Sequence, residues 1–153
     1  MNIIRLTRLF TFEMAHALQG YDGPCSHIHG HSYRLEVTIT GIPIQEKGHP
    51  KNGMVLDFGD LKKLVQETIV DEVDHALLLS QDSPAELISM LQQLQHKLVL
   101  TPYQPTCENM LLDFRTKLRN KLPENLSLHC LKLWETQSSF AEWYAADEVK
   151  LKN

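Results

Sequence analysis

Three of the four histidines in the first 31 residues could together bind a metal ion. His29 and His31 are two residues apart in the run CSHIHGH, at the start of a segment that alternates like a β-strand. Side chains at positions i and i+2 of a strand project from the same face, so both imidazoles point the same way. His16 ends an earlier alternating segment. If the two segments pair as a hairpin, all three imidazoles meet at one end of it.

Such a cluster suits Zn²⁺. The ion accepts neutral imidazole at roughly 2.0–2.1 Å, and three protein ligands with an open fourth position are the pattern of catalytic zinc. Three unpaired polar rings at the end of an apolar strand face would instead be costly to bury. A closed structural site with Cys25 as the fourth ligand is the competing interpretation, because cysteine and histidine together also hold zinc. Zinc bound by His16, His29 and His31 is the prediction.

Five further residues could move protons or bind a ligand. Cys25 lies beside the predicted metal, and a neighbouring cation favours the reactive thiolate. Asp74 could orient the adjacent His75, although a surface pair is an equally good interpretation of these two residues alone. Glu108 falls in the first turn of a predicted helix, where stabilising the helix is the simpler role. Glu135 ends a strand, either as an ordinary charge or as a carboxylate that accepts two N–H groups of a heterocycle.

The segments that position these residues predict an α+β domain, with helices packed on one face of an antiparallel sheet. Period-two alternation indicates strands, and apolar stripes at helical spacing indicate helices. The predicted strands cover 4–16, 31–41, 126–134 and 139–149, and the predicted helices begin near 57 and cover 84–100 and 105–123. Residues 41–53, with three glycines and two prolines, are predicted to form a loop.

Length and composition limit the possible functions. The 153 residues suit one domain, 1–153. A net charge of −4 offers no basic field for nucleic acid or an anionic membrane. No apolar run approaches the roughly 18 residues of a membrane span, and the scattered charges of the first segment are unlike a signal peptide. Three widely spaced cysteines suggest no disulfide framework and favour a reducing cytoplasm.

The motifs, taken in order, resemble a known family. FTFEMAH, CSHIHGH, GMVLDFGDLKKLV, DEVDH, PTCEN and ET-x-x-S-x-AEW extend over nearly the whole chain. Together they resemble the 6-pyruvoyltetrahydropterin synthase and 6-carboxytetrahydropterin synthase family. The resemblance implies the tunnelling fold (T-fold), with a four-stranded antiparallel sheet and helices on one side. It also implies a homo-oligomer, commonly a hexamer made of two trimers, with sites assembled across subunit contacts.

The resemblance also implies residue roles and a substrate. The zinc ligands are His16, His29 and His31, the proton-transfer groups are Cys25, Asp74 and His75, the pterin anchor is Glu135, and Glu108 helps to line the pocket. The implied substrate is 7,8-dihydroneopterin triphosphate. In the carboxytetrahydropterin branch, which leads to queuosine, triphosphate and acetaldehyde are released. In the pyruvoyl branch triphosphate is eliminated and the carbon chain is kept.

The retained cysteine and the compact chain favour the carboxytetrahydropterin branch. The pyruvoyl branch shares almost every motif and stays open as an alternative. A nonenzymatic module stabilised by a closed zinc site is the alternative from another class of protein. The chain departs from shorter bacterial members by a longer loop at 42–53, by an extra stretch at 81–100 and by Met14. None of these departures changes a predicted ligand.

Overall fold

A computed structural model describes residues 2–148 and shows one six-stranded mixed sheet. The strands are β1 Ile4–His16, β2 His29–Gly41, β3 Ala76–Ser80, β4 Leu98–Thr101, β5 Ser127–Trp134 and β6 Phe140–Tyr144. The helices are α1 Phe58–Val65, α2 Asp71–Val73, α3 Ala85–Gln93 and α4 Cys107–Arg119, with a π-helical turn Gln66–Val70 between α1 and α2. The α+β class is therefore confirmed.

The predicted hairpin is present and sets the register of the site. Strands β1 and β2 pair antiparallel over their full lengths, with His16 opposite His29 and Met14 opposite His31. Inward side chains of both strands pack against α1 and α4 in the buried core. The two helices begin where the sequence predicts, since Asp57 accepts the Gly59 N–H at 2.6 Å and Thr106 accepts the Asn109 N–H at 3.2 Å.

The prediction of a four-stranded antiparallel sheet is wrong. Two additional strands extend the sheet, because β3 pairs parallel with β1 and β4 pairs parallel with β3. The order is β4-β3-β1-β2-β5-β6. β3 is a five-residue apolar run, which periodicity cannot distinguish from a piece of buried helix. β4 begins inside the predicted helix 84–100. The observed helix α3 ends at Gln93, and the chain takes a left-handed conformation at Gln95, with φ of 58°.

Other boundaries differ by a few residues. α4 ends at Arg119 rather than near 123, and β6 ends at Tyr144, where a short 3₁₀ turn follows. Val149, the predicted end of the last strand, lies outside the described residues. Between residues 2 and 148, no helix combines the length and apolar character needed to span a membrane. That residues 1–153 form a single domain stays a prediction.

Candidate metal centre and active site

The end of the β1–β2 hairpin brings the three predicted histidines together. The imidazole centroids of His16 and His29 are 4.6 Å apart, those of His29 and His31 4.8 Å, and those of His16 and His31 5.3 Å. One nitrogen atom from each ring, able to bind a metal, lies within 4.8 Å of the corresponding atoms of the other two rings. His16 is buried, with 1% of its surface exposed, and the other two rings are half-buried. The predicted cluster therefore forms within one chain.

Hydrogen bonds that the rings donate to backbone carbonyls fix two of the three imidazoles. His16 Nδ1 lies 2.8 Å from the carbonyl oxygen of Pro105, and His29 Nδ1 lies 2.7 Å from that of His27. A carbonyl only accepts, so both Nδ1 atoms carry the proton and both Nε2 atoms keep a lone pair in the neutral rings. The two Nε2 atoms are 3.1 Å apart. Lone pairs at this separation repel each other unless a cation lies beside both.

The third ring has an unsatisfied nitrogen. His31 Nε2 is buried and has no hydrogen-bond partner within residues 2–148, and such a group costs free energy. Burial also lowers the pKa of His16, and the hydrogen bond to Pro105 opposes this with a smaller effect. The lowered pKa favours the neutral ring that a metal requires. A metal ion would accept all three lone pairs. These residues therefore fit a metal that imidazole binds well, such as zinc.

Glu135 and Tyr33 lie directly beside the cluster. Glu135 Oε1 is 3.6 Å from His16 Nε2, and it accepts a hydrogen bond from the Tyr33 hydroxyl at 3.4 Å. Tyr33 is 1% exposed and packs edge-on against the rings of His16 and His31. Burial, and then the Glu135 carboxylate, raise the pKa of Tyr33, so its phenol stays protonated. Together they add one anion and one proton donor to the site.

Sequence reasoning missed Tyr33 because it counted this residue only as part of an apolar strand face. A signal was available, since Tyr33 follows His31 by two residues and shares its face. A buried tyrosine hydroxyl usually needs a partner. The Pro105 carbonyl gave no comparable signal, because it comes from a segment 89 residues further along the chain.

Cys25 lies near the cluster but outside it. It sits in a 3₁₀ turn, Pro24–Ser26, and its backbone carbonyl accepts the Leu18 N–H at 2.9 Å. Cys25 is close enough to Tyr33 to contribute electrostatically to the raised pKa of that phenol, after burial, Glu135 and Cys107. In the part of the chain that the structure describes, the converging donor atoms belong to the three histidines and do not include Cys25. This arrangement does not support a closed site with Cys25 as the fourth ligand.

Asp74 and His75 contact each other but not the cluster. His75 Nδ1 lies 3.0 Å from Asp74 Oδ1, which also accepts the Glu13 N–H at 2.9 Å. The backbone N–H of His75, at φ of 59°, donates to the Glu13 carbonyl at 2.6 Å. The side chain of His75 is 77% exposed. Among residues 2–148, no hydrogen bond or ion pair joins this pair to the three histidines.

A cleft of 540 Å³ opens beside this pair. Residues from β2, from the segment before β3 and from the segment before β4 line part of it: Gly30, His31, Ser32, His75, His96 and Lys97.

Glu108 is exposed in the first turn of α4, and its described contacts do not include the cluster. Its neighbour Cys107 donates from Sγ to the Leu133 carbonyl at 3.3 Å, and burial raises the pKa of this thiol to about 11.

The anchored carboxylate of Asp74 leads to a prediction about pH. The hydrogen bond from the Glu13 backbone holds the Asp74 pKa below its usual value. A carboxyl whose pKa is lower in the folded state stabilises the fold above its unfolded pKa of about 3.9, and this stability is lost as the pH falls through the folded pKa. The melting temperature of the wild type should therefore exceed that of Asp74→Asn at pH 6, and the difference should shrink below about pH 4.

Thermal melts of both proteins between pH 6 and pH 3 measure this effect. The matched control is Asp82→Asn, which changes an exposed carboxylate in the turn after β3. Its melting temperature should follow that of the wild type at every pH. A difference between the wild type and Asp74→Asn that stays constant down to pH 3 would contradict the prediction.

Comparison with known proteins gives consistent matches. The profile of a family described as 6-pyruvoyl tetrahydropterin synthase matches residues 5–146. A protein of Haemophilus influenzae named 6-carboxy-5,6,7,8-tetrahydropterin synthase is 37% identical over 92% of this chain and 99% of its own. Two solved structures share the fold. An uncharacterized protein of Wolinella succinogenes has a TM-score of 0.75 at 21% identity, covering 95% of this chain and 99% of that one. The 6-pyruvoyl tetrahydropterin synthase of Caenorhabditis elegans has a TM-score of 0.65 at 25% identity, covering 95% of this chain and 97% of that one.

Proposed function

Since the chain belongs to the 6-pyruvoyl tetrahydropterin synthase family, we propose that it is a zinc-dependent 6-carboxy-5,6,7,8-tetrahydropterin synthase. In this proposal it converts 7,8-dihydroneopterin triphosphate to 6-carboxytetrahydropterin, releases acetaldehyde and triphosphate, and contributes to queuosine biosynthesis. The name of the Haemophilus influenzae relative supports the choice of reaction. The observation that carries the metal dependence is the convergence of three imidazole nitrogens, one of which is buried with no hydrogen-bond partner among residues 2–148.

His16, His29 and His31 would hold the zinc ion through their Nε2 atoms, since the Nδ1 atoms of His16 and His29 face carbonyl oxygens. Bound zinc would supply Lewis-acid chemistry and lower the pKa of hydroxyl groups on the substrate side chain. Three ligands leave room for substrate beside the ion, as in catalytic zinc sites.

Cys25 and the Asp74–His75 pair are the proposed proton-transfer groups. The Asp74 carboxylate accepts from His75 Nδ1 and so holds the imidazole in the tautomer whose Nε2 can take a proton. The Cys25 thiolate would take or return a proton at the substrate side chain. Glu135 would anchor the pterin by accepting two of its N–H groups, and Glu108 would help to line the pocket.

A homo-oligomer, a hexamer of two trimers, would complete the site. Within the described chain Asp74 and His75 do not reach the three histidines, and the exposed side chain of His75 is available to a neighbouring subunit. Strands β4 and β6 lie at the edges of the sheet, and open edges offer unpaired backbone groups to a second chain. The cysteines are free, which suits a cytoplasmic protein.

A 6-pyruvoyl tetrahydropterin synthase is the second candidate, favoured by the likeness to the Caenorhabditis elegans enzyme. Incubating the zinc-loaded protein with 7,8-dihydroneopterin triphosphate and identifying products by mass spectrometry separates the two candidates. Acetaldehyde with a 6-carboxy pterin is the expected result. A 6-pyruvoyl product would move the chain to the other branch, and no turnover with zinc bound would contradict the proposed substrate.

A further inference from the structure

The Glu135 carboxylate lies beside the three histidines, with Oε1 3.6 Å from His16 Nε2. We propose that Glu135 binds the metal when no substrate is present and is displaced when substrate binds. The displacement rests on the proposed function, in which the same carboxylate anchors the pterin. The binding in the substrate-free state rests on the geometry of the cluster alone and is tested alone.

The Glu135 carboxylate lies close to two of the three imidazole nitrogens. Four ligands placed tetrahedrally at roughly 2.1 Å from zinc are about 3.4 Å from one another. Glu135 Oε1 is 3.6 Å from His16 Nε2 and 4.0 Å from His31 Nε2, while His16 Nε2 is 3.1 Å from His29 Nε2. The carboxylate oxygen is therefore close to ligand spacing from His16 Nε2 and somewhat beyond it from His31 Nε2.

The orientation of the His16 ring is also compatible with a cation at this position. Because His16 Nδ1 faces the Pro105 carbonyl, the Nε2 atom that faces Glu135 carries a lone pair in the neutral ring. An anionic oxygen and a lone pair repel each other at 3.6 Å in a buried setting. A metal ion bound to both atoms turns this repulsion into attraction.

One contact holds the Glu135 carboxylate, and another holds the backbone of the same residue. The protonated Tyr33 hydroxyl donates to Oε1 at 3.4 Å, and the backbone N–H of Glu135 donates to the Ser139 carbonyl at 3.0 Å in the turn between β5 and β6. The backbone is thus fixed while the side chain keeps its rotatable bonds. A carboxylate that accepts two N–H groups of a pterin uses both oxygens. Anchoring the substrate therefore requires Glu135 to leave the metal.

The test replaces zinc by cobalt(II), whose visible absorption reports the ligand set, and uses no substrate. In Glu135→Gln the amide is a poorer ligand, so the cobalt spectrum should change and the affinity, measured by chelator competition, should fall roughly tenfold or more. Tyr33→Phe, which removes the hydrogen bond to Oε1, should weaken cobalt binding by a smaller factor. Far-UV circular dichroism checks that each variant is folded.

The matched control is Glu36→Gln. Glu36 is a half-buried carboxylate on the opposite face of β2, where it accepts the Trp134 Nε1–H at 3.1 Å. Its variant should keep the spectrum and the affinity of the wild type. A folded Glu135→Gln protein with an unchanged cobalt spectrum would overturn the proposal. Because no substrate is present, that result would not affect the proposed reaction. A failed product assay, in turn, would not affect the proposal that Glu135 binds the metal in the substrate-free state.

Discussion

His31→Ala is expected to lose its zinc and, with it, most of its turnover. His31 Nε2 is one of three converging nitrogens, and without it two imidazoles remain of the predicted set. Lewis-acid assistance is worth several kcal/mol of barrier, and each ~1.4 kcal/mol is a factor of ten, so kcat/KM should fall roughly a thousandfold. Metal analysis after dialysis and steady-state kinetics with 7,8-dihydroneopterin triphosphate measure the two effects.

The matched control is His129→Ala. His129 lies on β5, where Arg5 donates to its ring at 2.9 Å, and it is not part of the converging group. That variant should keep its zinc and its turnover. Full zinc occupancy in His31→Ala would show that the ion is held elsewhere and would contradict the assignment of the metal centre.

Cys25→Ala is expected to keep its zinc and lose turnover. Cys25 is not among the converging donor atoms of the described chain, so removing its thiol leaves the metal ligands in place. A positioned acid–base group contributes roughly 10²–10⁴-fold, and kcat should fall within that range. Zinc content, thermal stability and kcat are the measurements. The closed structural site predicts the opposite pattern, with loss of the metal and destabilisation of the fold.

Cys130→Ala is the matched control, since it removes a half-buried free thiol from β5. It should keep full turnover. If Cys25→Ala also keeps its zinc, its stability and its full turnover, both roles for Cys25 are excluded.

The hairpin and its histidines could be predicted because the relevant information is local. Two histidines at i and i+2 share a strand face, and the end of one hairpin strand must lie opposite the start of the other. That reasoning alone brings His16 to His29 and His31, and the structure confirms it. The caps Asp57 and Thr106 are local signals of the same kind.

The rest depends on contacts between distant segments. β3 and β4 join the sheet by parallel pairing, which short apolar runs do not reveal. That pairing places Asp74 and His75 against Glu13. The Glu13 N–H that donates to Asp74 lies 61 residues earlier in the sequence. The approach of Glu135 to His16 likewise depends on how β5 pairs with β2 and not on any motif.

The most direct test of the metal centre is a zinc titration of the metal-free protein. Protein stripped by a chelator would receive zinc in steps, and the rate of 7,8-dihydroneopterin triphosphate consumption would be followed at each step. The account predicts a rate that starts near zero, rises in proportion to bound zinc and levels off at one zinc per chain. Full turnover by the zinc-free protein would contradict it.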